Sequence, residues 1–269
     1  MNAMQTEMTP TEIYADFAAD RRRRPLDGFA RENWPQLVRY TALRPDMEGF
    51  ITFACLPAGA ELAQIRAQTS HFDALAQPFE WKVYALDQPA GLRGLLEAEG
   101  FCAGPDEVFM VFPIDPHFVA PTSADATVSE AKVQVRRVDD LAGLRDIVAV
   151  QEQVWQQQFP WLLDQLADSL AQQPDQIALY CAYHGARPVG SGWLDLPPGS
   201  RYAELHGGAV LPDMRGQGIY SRLFEARLAH AARRAIPFFA VDASPMSRPI
   251  LERRGFVHVC NTYPMRKPT

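Results

Sequence analysis

The chain has 269 residues, enough for two domains of ordinary size, each able to bury a core. Hydrophobic residues at 47% and charged residues at 22% fit a globular protein, and no apolar run approaches the ~20 residues of a membrane span. A net charge of −6 argues against non-specific nucleic-acid binding, so neither nucleic acid nor membrane is an expected partner.

Taken in order, the pattern predicts a short helix over Pro10 to Asp20, entered at Thr9 or Thr11, with Ile13, Phe17 and Ala18 on one side. The basic run Arg21-Arg22-Arg23-Arg24 reads as its solvated end, because no aromatic platform accompanies it. Strands are expected at Leu37 to Leu43 and Gly49 to Leu56, a helix at Glu61 to Ala76 and a strand at Phe79 to Leu86. Ala90 to Glu99 predicts a helix stopped at Gly100, followed by a strand at Val108 to Ile114. Residues 119–131 lack periodicity and carry proline and small polar residues, which marks a linker between a domain at 1–118 and another at 132–269. The four cysteines (Cys55, Cys102, Cys181, Cys260) are far apart and show no metal-binding spacing. Buried reduced thiols, no metal and a cytoplasmic location are expected, since the N-terminal stretch around Tyr14-Ala15-Asp16-Phe17 also lacks the apolar core of a secretory signal.

The second domain opens with a strand at Val133 to Val138. Asp139-Asp140 caps a helix to about Trp155, and a second helix spans Leu162 to Gln172. Ile177 to Tyr183 and Pro188 to Leu194 form a hairpin turned at His184-Gly185-Ala186. Then comes the most informative stretch: a strand ending in Ala209-Val210-Leu211, a loop from Pro212, and a helix from Ile219 to about Arg234. Pro212 has no N–H to donate and ends the pairing. Gly216 and Gly218 let the loop backbone approach a ligand, and the free N–H groups of the helix start favour an anion, so a phosphate is the expected ligand. No Gly-Lys-Ser/Thr follows these glycines, and Ser221 stands where a dinucleotide fingerprint needs a third glycine.

Arg215-Gly216-Gln217-Gly218-Ile219-Tyr220 instead resembles the pyrophosphate loop of the GCN5-related N-acetyltransferase superfamily, Gln/Arg-x-x-Gly-x-Gly/Ala, with Tyr220 departing from the last position. A following strand at Phe238 to Ala243 and a short helix at Ser247 to Arg254, ending in Gly255-Phe256, are similar to the family's later signature. The resemblance covers about Val133 to Thr269. It implies a mixed α/β fold with a splayed central sheet, acetyl-CoA as donor co-substrate, and a small-molecule amine as acceptor. It also implies that Ala209, Val210 and Leu211 pair with the pantetheine, that the loop from Arg215 to Tyr220 holds the pyrophosphate, and that Ser244 and Ser247 contact the coenzyme. Gly207-Gly208 would permit the β-bulge that opens the family's groove, or would merely pack against a helix. Glu204 stands where some members carry a catalytic base, and His206 shares its face by period two; the alternative for Glu204 is a solvated strand residue or a structural ion pair, and for His206 a histidine hydrogen-bonded in a cleft wall. Leu251 replaces the tyrosine that protonates the departing thiolate in many members, leaving Ser247, Tyr263 or unassisted departure. Trp155, Phe159, Trp161 and Trp193 suit a cleft wall or a core equally.

The same order of elements occurs twice. Shifting the chain by 155 positions lays Leu56-Pro57 on Leu211-Pro212 and Leu96-Glu97-Ala98-Glu99-Gly100-Phe101 on Leu251-Glu252-Arg253-Arg254-Gly255-Phe256. It lays Ala60, Glu61, Leu62 and Ala63 on Arg215, Gly216, Gln217 and Gly218, so the first copy is expected to be degenerate and unable to hold phosphate. Two other functions remain open at this level: an acyl-CoA sensor without turnover, and a protein acetyltransferase. Monomer and homodimer are likewise both compatible with the sequence.

Overall fold

In the computed structural model, which describes residues 8–24, 26, 28–44, 47–119 and 133–267, Thr9 starts the first helix with a reciprocal capping box. Its hydroxyl accepts the Glu12 N–H, and the Glu12 carboxylate accepts the Thr9 N–H at 2.7 Å. The elements run α1 (Pro10–Arg22), β1 (Phe29–Trp34), β2 (Leu37–Ala42), β3 (Gly49–Thr52), α2 (Glu61–Ala74), β4 (Phe79–Tyr84), α3 (Leu92–Ala98), β5 (Cys102–Ala103) and β6 (Glu107–Pro113). They continue as β7 (Val133–Val138), α4 (Leu141–Trp155), α5 (Leu162–Gln172), β8 (Ile177–His184), β9 (Arg187–Asp195), β10 (Tyr202–Val210), α6 (Ile219–Arg233), β11 (Phe238–Ala243), α7 (Arg248–Glu252) and β12 (Val257–Arg266). Two units emerge: Met1–Phe112 with Val241–Thr269, and Pro113–Ala240. The expected division gave 132–269 to one domain, whereas Val241–Thr269 clusters with the N-terminal residues. The linker placed at 119–131 lies, beyond Val119, outside the described residues.

In the first unit β1, β2 and β3 are antiparallel neighbours, and β3 pairs parallel to β4 across the α2 crossover. The last strand of the sequence, β12, lies between β4 and β6, antiparallel to both. Its Met265 joins Trp81 of β4, Ile65 and Phe72 of α2, and Leu92 and Leu96 of α3 in a core where all six are under 2% exposed. The edge strand β1 had no counterpart in the sequence reading, because its charged, partly exposed residues lack a clean alternation. The basic run is not a solvated end. Arg22 donates to the carbonyls of Trp34 and Phe53 at 2.7 and 2.6 Å, and Arg24 bonds the fully buried Asp20 at 2.9 Å. All four thiols are free, but Cys55 and Cys102 are exposed, contrary to expectation.

In the second unit β7, β8, β9 and β10 are antiparallel in sequence order, and β10 pairs parallel to β11 across the α6 crossover. Strand alternation sorts β8 between two faces. Leu179 and Cys181 enter the cluster formed with Leu144 and Ile147 of α4 and Leu162 and Leu166 of α5. Tyr180 points the other way, its hydroxyl 3.0 Å from Nδ1 of His230 on α6. Burial, then the charges of Arg137, Arg233 and Arg234, push the His230 imidazole down to about 4 from its usual 6.5. The native state therefore keeps His230 neutral at pH values where the unfolded chain is protonated. Its stabilisation is complete above pH 6.5 and is lost as the pH falls toward about 4. Melting temperature against pH should fall across that window, and His230→Gln should flatten the fall; equal slopes would count against the buried neutral histidine.

Two helix ends that the 155-residue offset superposes, both in the first unit, close in the same way. α3 closes with Phe101 N–H on the Leu96 carbonyl at 3.0 Å, and α7 closes with Phe256 N–H on the Leu251 carbonyl at 3.1 Å. Between these anchors the offset drifts: α2 begins at Glu61, where the offset places Gln64. The N-caps are Ala60 and Gly218, so the loop after Pro57 is shorter than the loop after Pro212. The segment after Pro57 is thus shorter than the loop after Pro212 rather than a substituted version of it, a difference that an ungapped comparison cannot show.

Candidate functional site

The residues singled out around the glycine loop begin on β10, whose register with β9 passes from His206↔Trp193 to Ala209↔Ser191. Three steps on β10 oppose two on β9, which is a β-bulge at Gly207-Gly208. Gly207 has φ +55, and a Cβ there would overlap the Trp193 ring, so only glycine fits. The ladder between β10 and β11 runs from Tyr202↔Phe238 to Glu204↔Ala240.

Of the three residues expected to pair with a pantetheine, Leu211 is already committed. Its N–H donates to Val189 O at 3.0 Å, and its carbonyl accepts from Met214 N at 2.9 Å. By antiparallel alternation Val210 turns its N–H and C=O away from β9. Arg215 follows a 3₁₀ turn at Pro212–Met214, and its Nε donates to that Val210 carbonyl at 3.2 Å. Gly216 and Gly218 have φ +75 and +74, and a Cβ on either would meet open space. Gly218 is the N-cap of α6 and supplies no side-chain cap, so the first-turn N–H groups from Ile219 onward are those a bound anion would satisfy. Gln217 contacts Met214 Sδ at 3.9 Å, and the Tyr220 ring lies beside Gly208. These positions offer a phosphate what it needs: glycine backbone without side chains and a positive helix end.

Glu204 and His206 share the α4/α5 face with Trp193, whose indole packs against the α4/α5 cluster and stacks on the His206 ring at 6.3 Å. His206 Nε2 is 3.3 Å from Asp195 Oδ2, and Asp195 stands opposite Glu204 in the ladder. One face thus gathers two carboxylates, an imidazole and an aromatic wall. Phe159 packs against the same cluster and Trp161 lies beside it in an edge contact, while Trp155 and Trp161 are half-exposed.

Ser244 and Ser247 fall in the first unit and spend their hydroxyls on each other at 3.1 Å, closing the turn into α7. Leu251 is buried, and Tyr263 lies in the first unit with its ring under Arg93. Two polar residues escaped the sequence reading. Gln151 of α4 is buried and donates to the Gly207 carbonyl and to Ser191 Oγ, both at 2.7 Å. Arg227 of α6 is 1% exposed and packs against Gly192. Neither carries a local signal, because each is buried only through a strand far away in sequence.

In the first unit the backbone at the corresponding offset is paired with its own chain. Ala54, Cys55 and Leu56 correspond at the 155 offset to Ala209, Val210 and Leu211. Cys55 bridges to Gln88; Leu56 N–H donates to Gln88 O and Gln88 N–H to Ala54 O, each at 2.9 Å. α1 fastens over this closure, Tyr14 hydrogen bonding to Asp87 and Arg22 to the Phe53 carbonyl. Burial raises the Asp87 carboxyl to about 7 despite these donors.

Comparison with known proteins follows the same lines. Residues 141–256 match the family model described as acetyltransferase (GNAT) family. The chain is similar over 98% of its length to 97% of a GCN5-related N-acetyltransferase from Kribbella flavida, at 12% identity and a TM-score of 0.70. A GCN5-related N-acetyltransferase from Sphaerobacter thermophilus gives 16% identity and a TM-score of 0.62, covering 95% of this chain and 90% of that one. A tandem GNAT protein from the clavulanic acid biosynthesis pathway gives 14% identity and 0.56, covering 99% and 92%. At these identities the likeness establishes the fold, a mixed α/β acetyltransferase fold with a splayed sheet. No curated protein matches the sequence significantly. No helix among the described residues is long and apolar enough to cross a membrane, and none of their His, Cys, Asp and Glu side chains form a group suited to a metal.

Proposed function

We propose, from the match of residues 141–256 to the acetyltransferase (GNAT) family model, that the chain transfers an acetyl group from acetyl-CoA to the amine of a small molecule. The observation that carries the reading is the bulge at Gly207-Gly208 leading, within one unit, into the open glycine loop and the uncapped start of α6. The loop from Arg215 to Tyr220 would hold the pyrophosphate, and the outward N–H of Val210 would pair with the pantetheine. On the α4/α5 face the carboxylates of Glu204 and Asp195 attract a cationic amine. The cationic amine first gives one proton to Glu204, directly or through water, and its freed lone pair bonds to the thioester carbon; the C–S bond breaks with its electron pair on sulfur, and the second N–H proton passes to solvent. Leu251 has no proton to give, so the thiolate leaves unassisted, which a thiol pKa near ~8.5 tolerates.

A panel of amines assayed for free thiol release tests this. At least one amine should raise release above the amine-free rate. Silence across the panel with acetyl-CoA still bound would favour a coenzyme sensor, the reading that buried Leu251 and the self-engaged Ser244 and Ser247 support. Calorimetry should also saturate at one coenzyme per chain, because the first copy's backbone edge is bonded to Gln88. Saturation at two would show that edge to be displaceable.

A further inference from the structure

The Gly207 carbonyl at the bulge accepts its shorter side-chain bond from Gln151, whose amide can sit only one way round. Gln151 Nε2 lies 2.7 Å from Gly207 O, a group that only accepts, while the Trp155 indole N–H, which only donates, lies 3.1 Å from Gln151 Oε1. Ser191 Oγ completes the set, 2.7 Å from Nε2 and 3.3 Å from Gly207 O. The amide is buried among groups drawn from α4, β9 and β10, all of one unit.

We propose that Gln151 is a positioning residue for acetyl transfer: by fixing the Gly207 carbonyl toward α4 it fixes the Gly208 N–H, trans to it in the same peptide, on the opposite side as the donor that polarises the thioester carbonyl. The peptide plane makes the two directions one variable. Gly207 and Gly208 fall in the register shift between β10 and β9, outside the regular ladder, where the side-chain bonds to the Gly207 carbonyl set the direction of this peptide. A buried, fully satisfied polar trio rigidifies what it touches, and a donor aimed in advance stabilises developing charge without reorganising. The half-exposed Trp155 ring orients the amide through its N–H.

The inference rests on the proposed acetyl transfer, and its test separates the two. Gln151→Met keeps the length and removes both polar atoms. Turnover should fall about 10²-fold, the scale of a misplaced catalytic group, with the KM for acetyl-CoA nearly unchanged. In the ligand-free variant the Gly208 amide should exchange with solvent faster, and acetyl-CoA labelled at the carbonyl carbon should lose the shift it acquires on the wild-type protein. Gln151→Glu offers a carboxylate that cannot donate to Gly207 O until it is protonated. Its turnover relative to wild type should therefore rise as the pH falls, while the ratio for Gln151→Met stays flat. If Gln151→Met fails to fold, this pH-dependent ratio and the smaller loss expected of Trp155→Phe still decide the matter. Wild-type turnover and an unmoved carbonyl resonance in the folded variants, or a flat ratio for Gln151→Glu, would overturn the inference. Failure of the wild-type protein to bind acetyl-CoA would instead overturn the proposed function.

Discussion

Gly218→Val is expected to abolish acetyl-CoA binding, with at least a 10²-fold loss of affinity by calorimetry, while the protein still folds. Two effects act together. Gly218 holds φ +74 as the N-cap of α6, a conformation that a β-branched residue adopts only under strain of about 1–3 kcal/mol. The side chain itself meets nothing in the ligand-free protein, since the space beside its Cβ is open. That space is where the pyrophosphate would lie, so steric exclusion falls on the ligand rather than on the fold. Gly100→Val separates the contributions. Gly100 has φ +90 and equally open surroundings, but it ends α3 in the first unit. This control should lose stability on the same scale and keep its affinity for acetyl-CoA. An unchanged titration of Gly218→Val would end the assignment of the loop.

Glu204→Gln should reduce turnover by about 10²–10⁴-fold, the range for loss of a general base, with acetyl-CoA affinity nearly unchanged. Glu204 is the last residue of β10 to pair with β11, and it faces Asp195 across the β9 ladder on the side that carries Trp193 and His206. Glutamine preserves that shape and removes the proton acceptor. Activity should recover partly at high pH, where more amine arrives already deprotonated. His206→Gln should cost less, because the imidazole is already turned to Asp195 at 3.3 Å and stacked on Trp193. Rates against pH, read beside melting curves for both variants, distinguish chemistry from scaffolding. If Glu204 serves only an ion pair, its variant will melt earlier and turn over normally per folded molecule.

Much of the second unit was legible in local pattern. Val133–Val138, Leu162–Gln172 and Phe238–Ala243 stand where periodicity put them, and Asp140 caps α4 through a 2.7 Å bond to the Gly143 N–H. The family resemblance pointed to a bulge at Gly207-Gly208 but left packing against a helix open, and the register of β10 with β9 decides for the bulge. These features are written in neighbouring residues: a cap, a turn, an alternation of apolar side chains.

What tertiary structure decided is of another kind. What the sequence by itself determined near the C-terminus stops at the helix end Gly255-Phe256; the fold decided that Val257–Arg266 forms β12 and lies between β4 and β6, because pairing partners are chosen by burial and register rather than by proximity along the chain. The same applies to polar side chains. Gln151 and Arg227 carry the spacing of a solvated helix face, yet Gln151 is bonded to a carbonyl 56 residues away and Arg227 lies beneath β9 at Gly192. Arg22 looked like one of four equivalent surface charges until its guanidinium met two strand carbonyls. A buried polar group is stable only where distant backbone satisfies it, and that backbone is assembled by the whole fold.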